Sequence, residues 1–221
     1  MAVVLGRARG DAGSTPVTRV AAFDVDGTLT ARDCVVPFLR QTAGTAPLVG
    51  RMLRHPVQLA SAGWRRDRDA LKAASAMAAF SGRRLDGLTK LAQGFAQSVY
   101  SNGLSPAVVD RLNEHLEAGD IVVLVSASFE VYLDPLAGLL GVDNVLATRL
   151  LVGADGVLTG SLDGPNCRGP EKVERLHTWL GQEHGGRANV HMTAYGDSPG
   201  DRELLADADV AHWVTDGSFG R

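Results

Sequence analysis

The hydrophobic positions of the chain fall into short runs that alternate with longer helical patterns. Continuous apolar runs occur at residues 20–23 and 121–125, and mainly apolar segments at residues 142–151, 190–195 and, more weakly, 209–214. A run of this length that ends at small or acidic residues predicts a buried strand, and burial on both faces is typical of a parallel sheet. Asp155-Gly156 follows the third run, between two apolar segments, and predicts a hairpin turn.

The segment between the first two predicted strands is helical. Residues 32–118 carry apolar side chains at helical spacing, without the alternation of a strand. Ser105 and Pro106 predict the start of the last helix of this segment, with Ser105 as its N-cap. A helical pattern also follows the second strand, where Pro135 is expected to kink or restart the helix. Another helix is expected to begin at Pro170.

Strands that alternate with helices predict an α/β fold, here a Rossmann-like parallel sheet joined by right-handed crossovers. The long helical segment then forms an all-helical cap inserted after the first strand. We therefore expect a flexible leader at residues 1–18, an α/β core at residues 19–31 and 119–221, and a helical cap at residues 32–118.

The composition is that of an ordinary globular protein and narrows the choice of partners. The 221 residues are 45% hydrophobic and 21% charged, with a formal net charge of −3. This charge predicts no nucleic-acid partner. No apolar stretch approaches the roughly 18 residues of a membrane-spanning helix, so no integral membrane segment is predicted. Two widely separated cysteines and the lack of a signal-peptide pattern are typical of a cytoplasmic protein.

The first predicted strand runs directly into two carboxylates spaced by one residue. Asp24 and Asp26 would emerge at the carboxyl end of the strand, where open α/β sheets bind ligands. Because alternate residues of a strand point the same way, both carboxylates are expected in one small volume. A divalent cation would neutralise them, and Mg²⁺ is the usual one beside phosphate groups. Gly27 then allows a sharp turn into Thr28.

Four more polar residues follow later strands or begin later helices. Ser126 ends the second strand, Lys172 lies in the first turn of a helix, and Asp197 and Asp201 follow the fourth strand. With the aspartate pair they offer the nucleophile, acid, phosphate donors and metal ligands that phosphoryl transfer requires. Each also has a structural explanation. Ser126 could be a helix cap, Lys172 a solvated side chain, and the two acids helix-start residues.

The chain resembles the haloacid dehalogenase-like (HAD) superfamily of aspartate-nucleophile phosphatases across residues 19–214. The resemblance rests on four motifs in order, namely Asp24-Val25-Asp26-Gly27-Thr28, Ser126, Lys172, and Asp197 with Asp201. The helical insertion after the first motif is similar to that of the phosphoserine-phosphatase-like branch (subfamily IB). Two longer stretches, at residues 125–132 and 166–173, are similar to uncharacterised hydrolases of the same branch.

The resemblance implies a role for each motif residue. Asp24 is the implied nucleophile, and Asp26 the implied general acid and base. Ser126 and Lys172 would hold the phosphoryl oxygens of the substrate. The implied Mg²⁺ ligands are Asp24, Asp26 and Asp197, and the implied supporting residues are Gly27, Thr28 and Asp201.

The substrate is less closely defined. Asp33 stands where phosphoserine phosphatases carry a substrate-binding glutamate, so the resemblance implies that it binds an amino group; the alternative is a helix N-cap. No cap arginine matches the one that holds the carboxylate of phosphoserine, and Ala127 replaces a usual glycine. A phosphorylated amine without a carboxylate, or another small phosphomonoester, is therefore at least as well supported as phosphoserine.

The predicted function is hydrolysis of a small phosphomonoester, with Mg²⁺, through an aspartyl-phosphate on Asp24. The alternatives are transfer of the phosphoryl group to another alcohol and a regulatory phospho-aspartate module, although the acid at Asp26 disfavours a persistent acyl phosphate. Basic residues of the cap predict either an anionic substrate or membrane surface, or a solvated helix face. They are Arg51, Arg54, His55, Arg65, Arg66 and Arg68. The sequence predicts no oligomeric state.

Overall fold

The computed structural model describes residues 17–52 and 68–219. Its strands are β1 (Thr18–Phe23), β2 (Ile121–Phe129), β3 (Asn144–Val152), β4 (Leu158–Asp163), β5 (Val190–Gly196), β6 (Val210–Thr215) and β7 (Ser218–Phe219). Its α-helices are α1 (Val35–Ala43), α2 (Thr45–Met52), α3 (Arg68–Phe80), α4 (Leu85–Asn102), α5 (Pro106–Glu117), α6 (Glu130–Leu140), α7 (Pro170–Glu183) and α8 (Arg202–Asp207).

The strands form a seven-stranded sheet in the order β4-β3-β2-β1-β5-β6-β7. Five neighbouring strands of this sheet are parallel to one another, namely β3, β2, β1, β5 and β6. Each corresponds to one of the five strand segments expected from the sequence. β4 and β7 pair antiparallel at the two edges, β4 through the predicted hairpin. The prediction of an α/β fold with a parallel core is therefore confirmed.

β1 lies at the centre of the sheet and is buried on both faces. Ala21 and Phe23 belong to one apolar cluster, which continues into the helices between β1 and β2. Val20 and Ala22 belong to a second cluster on the opposite face, together with Leu176 of α7. Burial on both faces explains why the strand is a continuous apolar run rather than an alternating pattern.

The helices that precede β2 pack on one another and on the core. α1 contacts α3 and α4, and Phe38 of α1 lies against Phe80 and Phe95 of these two helices. α3 also contacts β4, α4 contacts α6, and α5 contacts β2. The helical insertion therefore shares apolar contacts with the sheet and its hairpin, and the exact boundaries of cap and core stay a prediction.

Two local predictions differ from the structure. Pro135 does not restart a helix, because α6 runs without interruption through it. Burial of Leu133 and Leu136 on the same helix outweighs the single N–H donor that a proline removes. Ser105 stands at the N-cap position of α5, but its side chain makes no capping hydrogen bond. The backbone N–H of Val108 donates to the carbonyl of Ser105 instead, at 3.1 Å.

Some predictions concern residues outside the described part of the chain. The predicted leader lies there except for its last two residues, since β1 begins at Thr18. The predicted basic face of the cap also lies there, because residues 53–67 and the side chains of Arg51 and Arg68 are not described. Within residues 17–52 and 68–219, no helix has the length and apolar character needed to cross a membrane.

Candidate active site

A cavity of about 420 Å³ lies where the carboxyl ends of β1, β2 and β5 meet the cap helices α1 and α3. Parallel strands bring their carboxyl ends to one edge of a sheet, so polar residues that follow them converge. Eight of the predicted site residues line this cavity: Asp24, Asp26, Gly27, Asp33, Ser126, Lys172, Asp197 and Asp201. Thr28 contacts the site through Asp197.

A buried lysine lies between two buried carboxylates at the base of the cavity. Asp24 directly follows β1, and its backbone N–H donates to the carbonyl of Tyr195 in β5 at 2.9 Å. The Lys172 ammonium donates to Oδ1 of Asp24 and to Oδ1 of Asp201, both at 2.6 Å. Lys172 is only 1% exposed in the first turn of α7. The solvated alternative for Lys172 is therefore wrong.

Burial and charge oppose each other in this group. Burial raises the pKa of Asp24 to about 7, although the neighbouring Lys172 ammonium lowers it. Burial also tends to lower the pKa of Lys172, but the two carboxylates raise it above its ordinary value. The Lys172 charge and hydrogen bond overcome the effect of burial on Asp201 and lower its pKa. The lysine is thus held in its charged form.

Three carboxylates form an acidic group beside this lysine. Asp24, Asp197 and Asp201 each offer one oxygen, and these oxygens all lie within 4.8 Å of one another. Carboxylate oxygens are the ligands that Mg²⁺ prefers in proteins, so the donor set fits a hard divalent cation. Burial and the charge of Asp201 raise the pKa of Asp197, the member of the group that makes no hydrogen bond to Lys172.

Gly27 and Thr28 shape the acidic group. Gly27 has a positive φ of 85°, and a Cβ atom added there would run into the Asp197 carboxylate. The Thr28 hydroxyl donates to Oδ1 of Asp197 at 3.3 Å. The Asp197 carboxylate therefore occupies the space that the missing side chain of Gly27 leaves open.

Asp26 lines the same cavity as Asp24, but it is not one of the three carboxylates whose oxygens lie within 4.8 Å of one another. β1 ends at Phe23, so the extended geometry that would align the two side chains has already ended. Oδ1 of Asp26 accepts from the Cys34 backbone N–H at 3.0 Å, and Oδ2 accepts from the Ser128 hydroxyl. Burial raises the pKa of Asp26, and the Ser128 hydrogen bond partly lowers it.

The hydroxyl chain behind Asp26 was not predicted from the sequence. The Tyr132 hydroxyl donates to Oγ of Ser128 at 2.6 Å, and Ser128 in turn donates to Asp26. Both hydroxyl residues are fully buried. Only their proximity to Ser126 in the sequence could have indicated them, because Tyr132 lies on the next helix and faces the core.

The structure distinguishes between the alternatives for two residues, namely a helix cap or a site residue for Ser126 and a helix-start acid or a site residue for Asp201. Ser126 is buried in β2, three residues before the N-cap of α6, so it does not cap that helix. Asp201 does take part in a helix start, since it completes a capping box in which its Oδ2 accepts from the backbone N–H and the hydroxyl of the N-cap residue Ser198. Its Oδ1 binds Lys172, so this single carboxylate serves both the turn and the site.

Asp33 has a structural role as well as a place in the cavity wall. Its Oδ1 accepts from the backbone N–H of Val36 at 3.1 Å, at the start of α1. The N-cap residue of α1 is Cys34, so Asp33 lies one residue before the N-cap position that the alternative predicted for it, but its side chain accepts a hydrogen bond from the first turn as a capping acid does. Asp33 also lines the cavity, so this hydrogen bond does not exclude a role for its carboxylate in substrate binding.

Lys72 of the cap was missed by sequence reasoning. It lies on α3, is 9% exposed, and donates to the carbonyl of Ala127, with its ammonium 4.5 Å from the centre of the Phe129 ring. Burial lowers the pKa of Lys72 to about 8. The side chain of Asn166 makes a second link to this helix, donating to Asp69 at 2.6 Å. Helix α3 therefore contacts the cavity wall through hydrogen bonds of Lys72 and Asp69.

Comparison with known proteins identifies the family. A family model described as haloacid dehalogenase-like hydrolase matches residues 21–206. Protein CicA of Caulobacter vibrioides is 36% identical over 201 residues, which cover 90% of this chain and 86% of CicA. Histidinol-phosphatase of Neisseria meningitidis is 31% identical over 103 residues, 46% of each chain.

Solved structures agree in fold. A protein of unknown function from Bordetella pertussis superposes with a TM-score of 0.71 at 25% identity, covering 88% of this chain and 89% of that one. Phosphoserine phosphatase in its apo form superposes with a TM-score of 0.60 at 17% identity, covering 88% of this chain and 84% of that one. The chain has the fold of the phosphoserine-phosphatase-like branch and is an enzyme of the haloacid dehalogenase-like hydrolase family.

Proposed function

We propose that this protein is a Mg²⁺-dependent phosphomonoester hydrolase that works through an aspartyl-phosphate on Asp24. The observation that carries the proposal is the Lys172 ammonium, which lies 2.6 Å from Asp24 and from Asp201. A buried cation beside a nucleophilic carboxylate offsets the charge of an incoming phosphoryl group. This arrangement stands at the open end of the central strand, where a substrate can reach it.

The chemistry has two steps. In the first, a carboxylate oxygen of Asp24 attacks phosphorus, the ester P–O bond breaks, and the leaving alkoxide takes a proton from Asp26. In the second, water attacks the aspartyl-phosphate, Asp26 accepts a proton from that water, and inorganic phosphate leaves as Asp24 is restored. The raised pKa of Asp26 favours the protonated form that the first step needs.

Other residues bind and orient the phosphoryl group. Lys172 and the hydroxyl of Ser126 would contact its oxygens, together with backbone N–H groups of the turn at Gly27. The carboxylates of Asp24 and Asp197 would hold Mg²⁺, with Asp201 beside them, and the bound ion would supply positive charge to the phosphoryl oxygens. The part of Asp26 in that metal site stays a prediction.

The substrate is a small phosphorylated metabolite, and we favour a phosphorylated amine or amino acid. Asp33 offers a carboxylate in the cavity wall that could accept hydrogen bonds from an ammonium group. The name of the Neisseria relative, histidinol-phosphatase, is that of an enzyme for a phosphorylated amino alcohol. We place the enzyme in the cytoplasm, where its two buried free cysteines would stay reduced.

The test is phosphate release from a panel of phosphomonoesters. The panel comprises phosphoserine, phosphoethanolamine, phosphocholine, histidinol phosphate, a sugar phosphate and glycerol phosphate, each with Mg²⁺ and with a chelator. We expect turnover of at least one ester, lost on chelation and lost in Asp24→Asn. Asp143→Asn, an exposed aspartate outside the cavity, is the matched control.

Two results would overturn the proposal. One is turnover that survives Asp24→Asn. The other is a wild-type enzyme that binds Mg²⁺ but releases phosphate from none of the esters. Rapid transfer to an added alcohol in place of water would instead identify a phosphotransferase.

A further inference from the structure

Among residues 17–52 and 68–219, three cationic side chains line the cavity, and two of them already bind other protein groups. Lys172 is bound by the carboxylates of Asp24 and Asp201. Lys72 donates to the carbonyl of Ala127 and lies over the Phe129 ring. Arg168 is the third.

Arg168 differs from both lysines because its charge has no partner in the part of the chain that the structure describes. It is half-buried in the cavity wall, and no ion pair or side-chain hydrogen bond joins its guanidinium to another residue within 17–52 or 68–219. The five aspartates of the cavity have other partners, namely the Lys172 ammonium, backbone N–H groups and the hydroxyls of Thr28, Ser128 and Ser198. Its donors are therefore free for a ligand.

The backbone around Arg168 fixes its position beside the acidic group. The N–H of Gly169 donates to the carbonyl of Gly200 at 2.9 Å, which ties this loop to the one that carries Asp197. The Arg168 side chain lies close over Gly200, since a Cβ atom added there would be 3.1 Å from Nε and 3.2 Å from Cγ of the arginine. Gly200 thus makes room for the arginine, which is held against the wall of the cavity.

We propose that Arg168 binds a second anionic group of the substrate, a carboxylate or a second phosphoryl group on the alcohol that leaves. The inference rests on the proposed function and adds a specificity-determining residue to it. The transferring phosphoryl group already has Lys172, and a cavity of about 420 Å³ has room for much more than that group. A guanidinium presents a planar fork of donors that matches carboxylate and phosphoryl oxygens in pairs.

The experiment compares esters that differ only in the second anion. Phosphoserine carries a carboxylate that phosphoethanolamine lacks, and propanediol bisphosphate carries a phosphoryl group that propanediol monophosphate lacks. p-Nitrophenyl phosphate serves as an ester without a second anion. The variants are Arg168→Gln, Arg168→Lys and the control Arg202→Gln, which removes an exposed charge close to the site in sequence but outside the cavity wall.

We expect wild-type kcat/KM to favour the doubly anionic member of at least one pair by about tenfold or more, as a charge-assisted hydrogen bond provides. Arg168→Gln should abolish that preference through a higher KM, with kcat on p-nitrophenyl phosphate unchanged. Arg168→Lys should restore part of the preference, and Arg202→Gln should retain all of it. The pair that shows the effect distinguishes a carboxylate from a second phosphoryl group.

The inference is overturned if the wild type prefers neither doubly anionic ester. It is also overturned if Arg168→Gln slows both members of each pair equally, since the arginine would then act on the site as a whole. Hydrolysis of p-nitrophenyl phosphate that survives Asp24→Asn would contradict the proposed function instead, so the two failures can be told apart.

Discussion

At the scale of single residues, the site depends first on the positive charge of Lys172. Its ammonium neutralises the Asp24 and Asp201 carboxylates, each of which is at most 5% exposed. Removing one partner of a buried ionic group leaves uncompensated charge, which costs about 3–5 kcal/mol. We therefore expect Lys172→Met to lower the free energy of unfolding by about that amount when metal is chelated. Urea denaturation in the presence of a chelator measures it.

Lys90 supplies the control for this prediction. It is exposed on α4, and Lys90→Met should leave the free energy of unfolding unchanged within error. A Lys172→Met protein as stable as the wild type under chelation would show that its carboxylates are protonated and need no counter-charge.

Gly27 is the second residue on which the site depends. Alanine there would be strained at a φ of 85° and would displace the Asp197 carboxylate. We expect Gly27→Ala to raise the Mg²⁺ concentration for half-maximal phosphate release about tenfold or more, a loss of about 1.4 kcal/mol in metal binding. A Mg²⁺ titration of activity measures this change.

Gly87→Ala is the matched control for Gly27→Ala, because a Cβ atom at Gly87 of α4 meets no atom within 4 Å. That variant should keep the wild-type Mg²⁺ dependence. An unchanged Mg²⁺ dependence in Gly27→Ala would mean that Asp197 takes no part in holding the metal.

At the scale of elements, helix α3 contacts the cavity wall through Lys72, and burying this side chain is unfavourable for its charged form. The pKa of Lys72 falls from its ordinary value of 10.5 to about 8 because the side chain is buried. The folded protein therefore binds fewer protons than the unfolded chain between these two values. Stability rises with pH wherever the unfolded state binds more protons, so the penalty is greatest below about pH 8 and is relieved as pH rises towards 10.5.

The variant Lys72→Met tests that balance. Methionine carries no charge, so the stability of wild type relative to Lys72→Met should increase by about 2 kcal/mol between about pH 7 and about pH 10. Urea denaturation of both proteins across this range measures it, and Lys90→Met should show no such trend. A difference that stays constant with pH would mean that Lys72 keeps its ordinary pKa in the folded protein.

The elements themselves were largely predictable from the sequence. β1 and β2 contain continuous apolar runs because both faces of these strands are buried, and such a run is visible without any structure. The parallel strands β3 and β6 mix polar with apolar residues and have exposed positions, so their signal in the sequence is weaker. The edge strand β7 was not predicted, since two residues make no pattern. The course of α6 through Pro135 was not predicted either, because it depends on the burial of Leu133 and Leu136 against other elements.

The site was predictable where chain order determines it and not where packing does. Asp24, Lys172 and Asp201 follow strands or begin helices at the same edge of the sheet, so their convergence follows from topology. The partners of Asp26 follow from packing instead. Cys34 contributes only a backbone N–H. Ser128 contacts Asp26 because of its position near the end of β2.

At the scale of the whole molecule, the sheet brings together acids that are distant in the sequence. Asp24 lies near one end of the chain, and Asp197 and Asp201 lie near the other, yet one oxygen of each lies within 4.8 Å of the others. Folding therefore concentrates negative charge at this point, and a bound cation stabilises the folded state alone. Cation binding at this acidic group would therefore be linked to the stability of the molecule.

This linkage predicts opposite effects of one substitution in two conditions. Asp197→Asn keeps an oxygen that can accept from Thr28 but removes one of three clustered charges, so the metal-free protein should unfold at an equal or higher temperature than wild type. With Mg²⁺ at about 100 times its Kd the wild type should gain about 2.7 kcal/mol, and the variant much less, so the order reverses. Thermal unfolding with a chelator and with excess Mg²⁺ measures both effects, and Asp143→Asn should follow the wild type in each. Equal stabilisation of Asp197→Asn and wild type by Mg²⁺ would place the cation elsewhere.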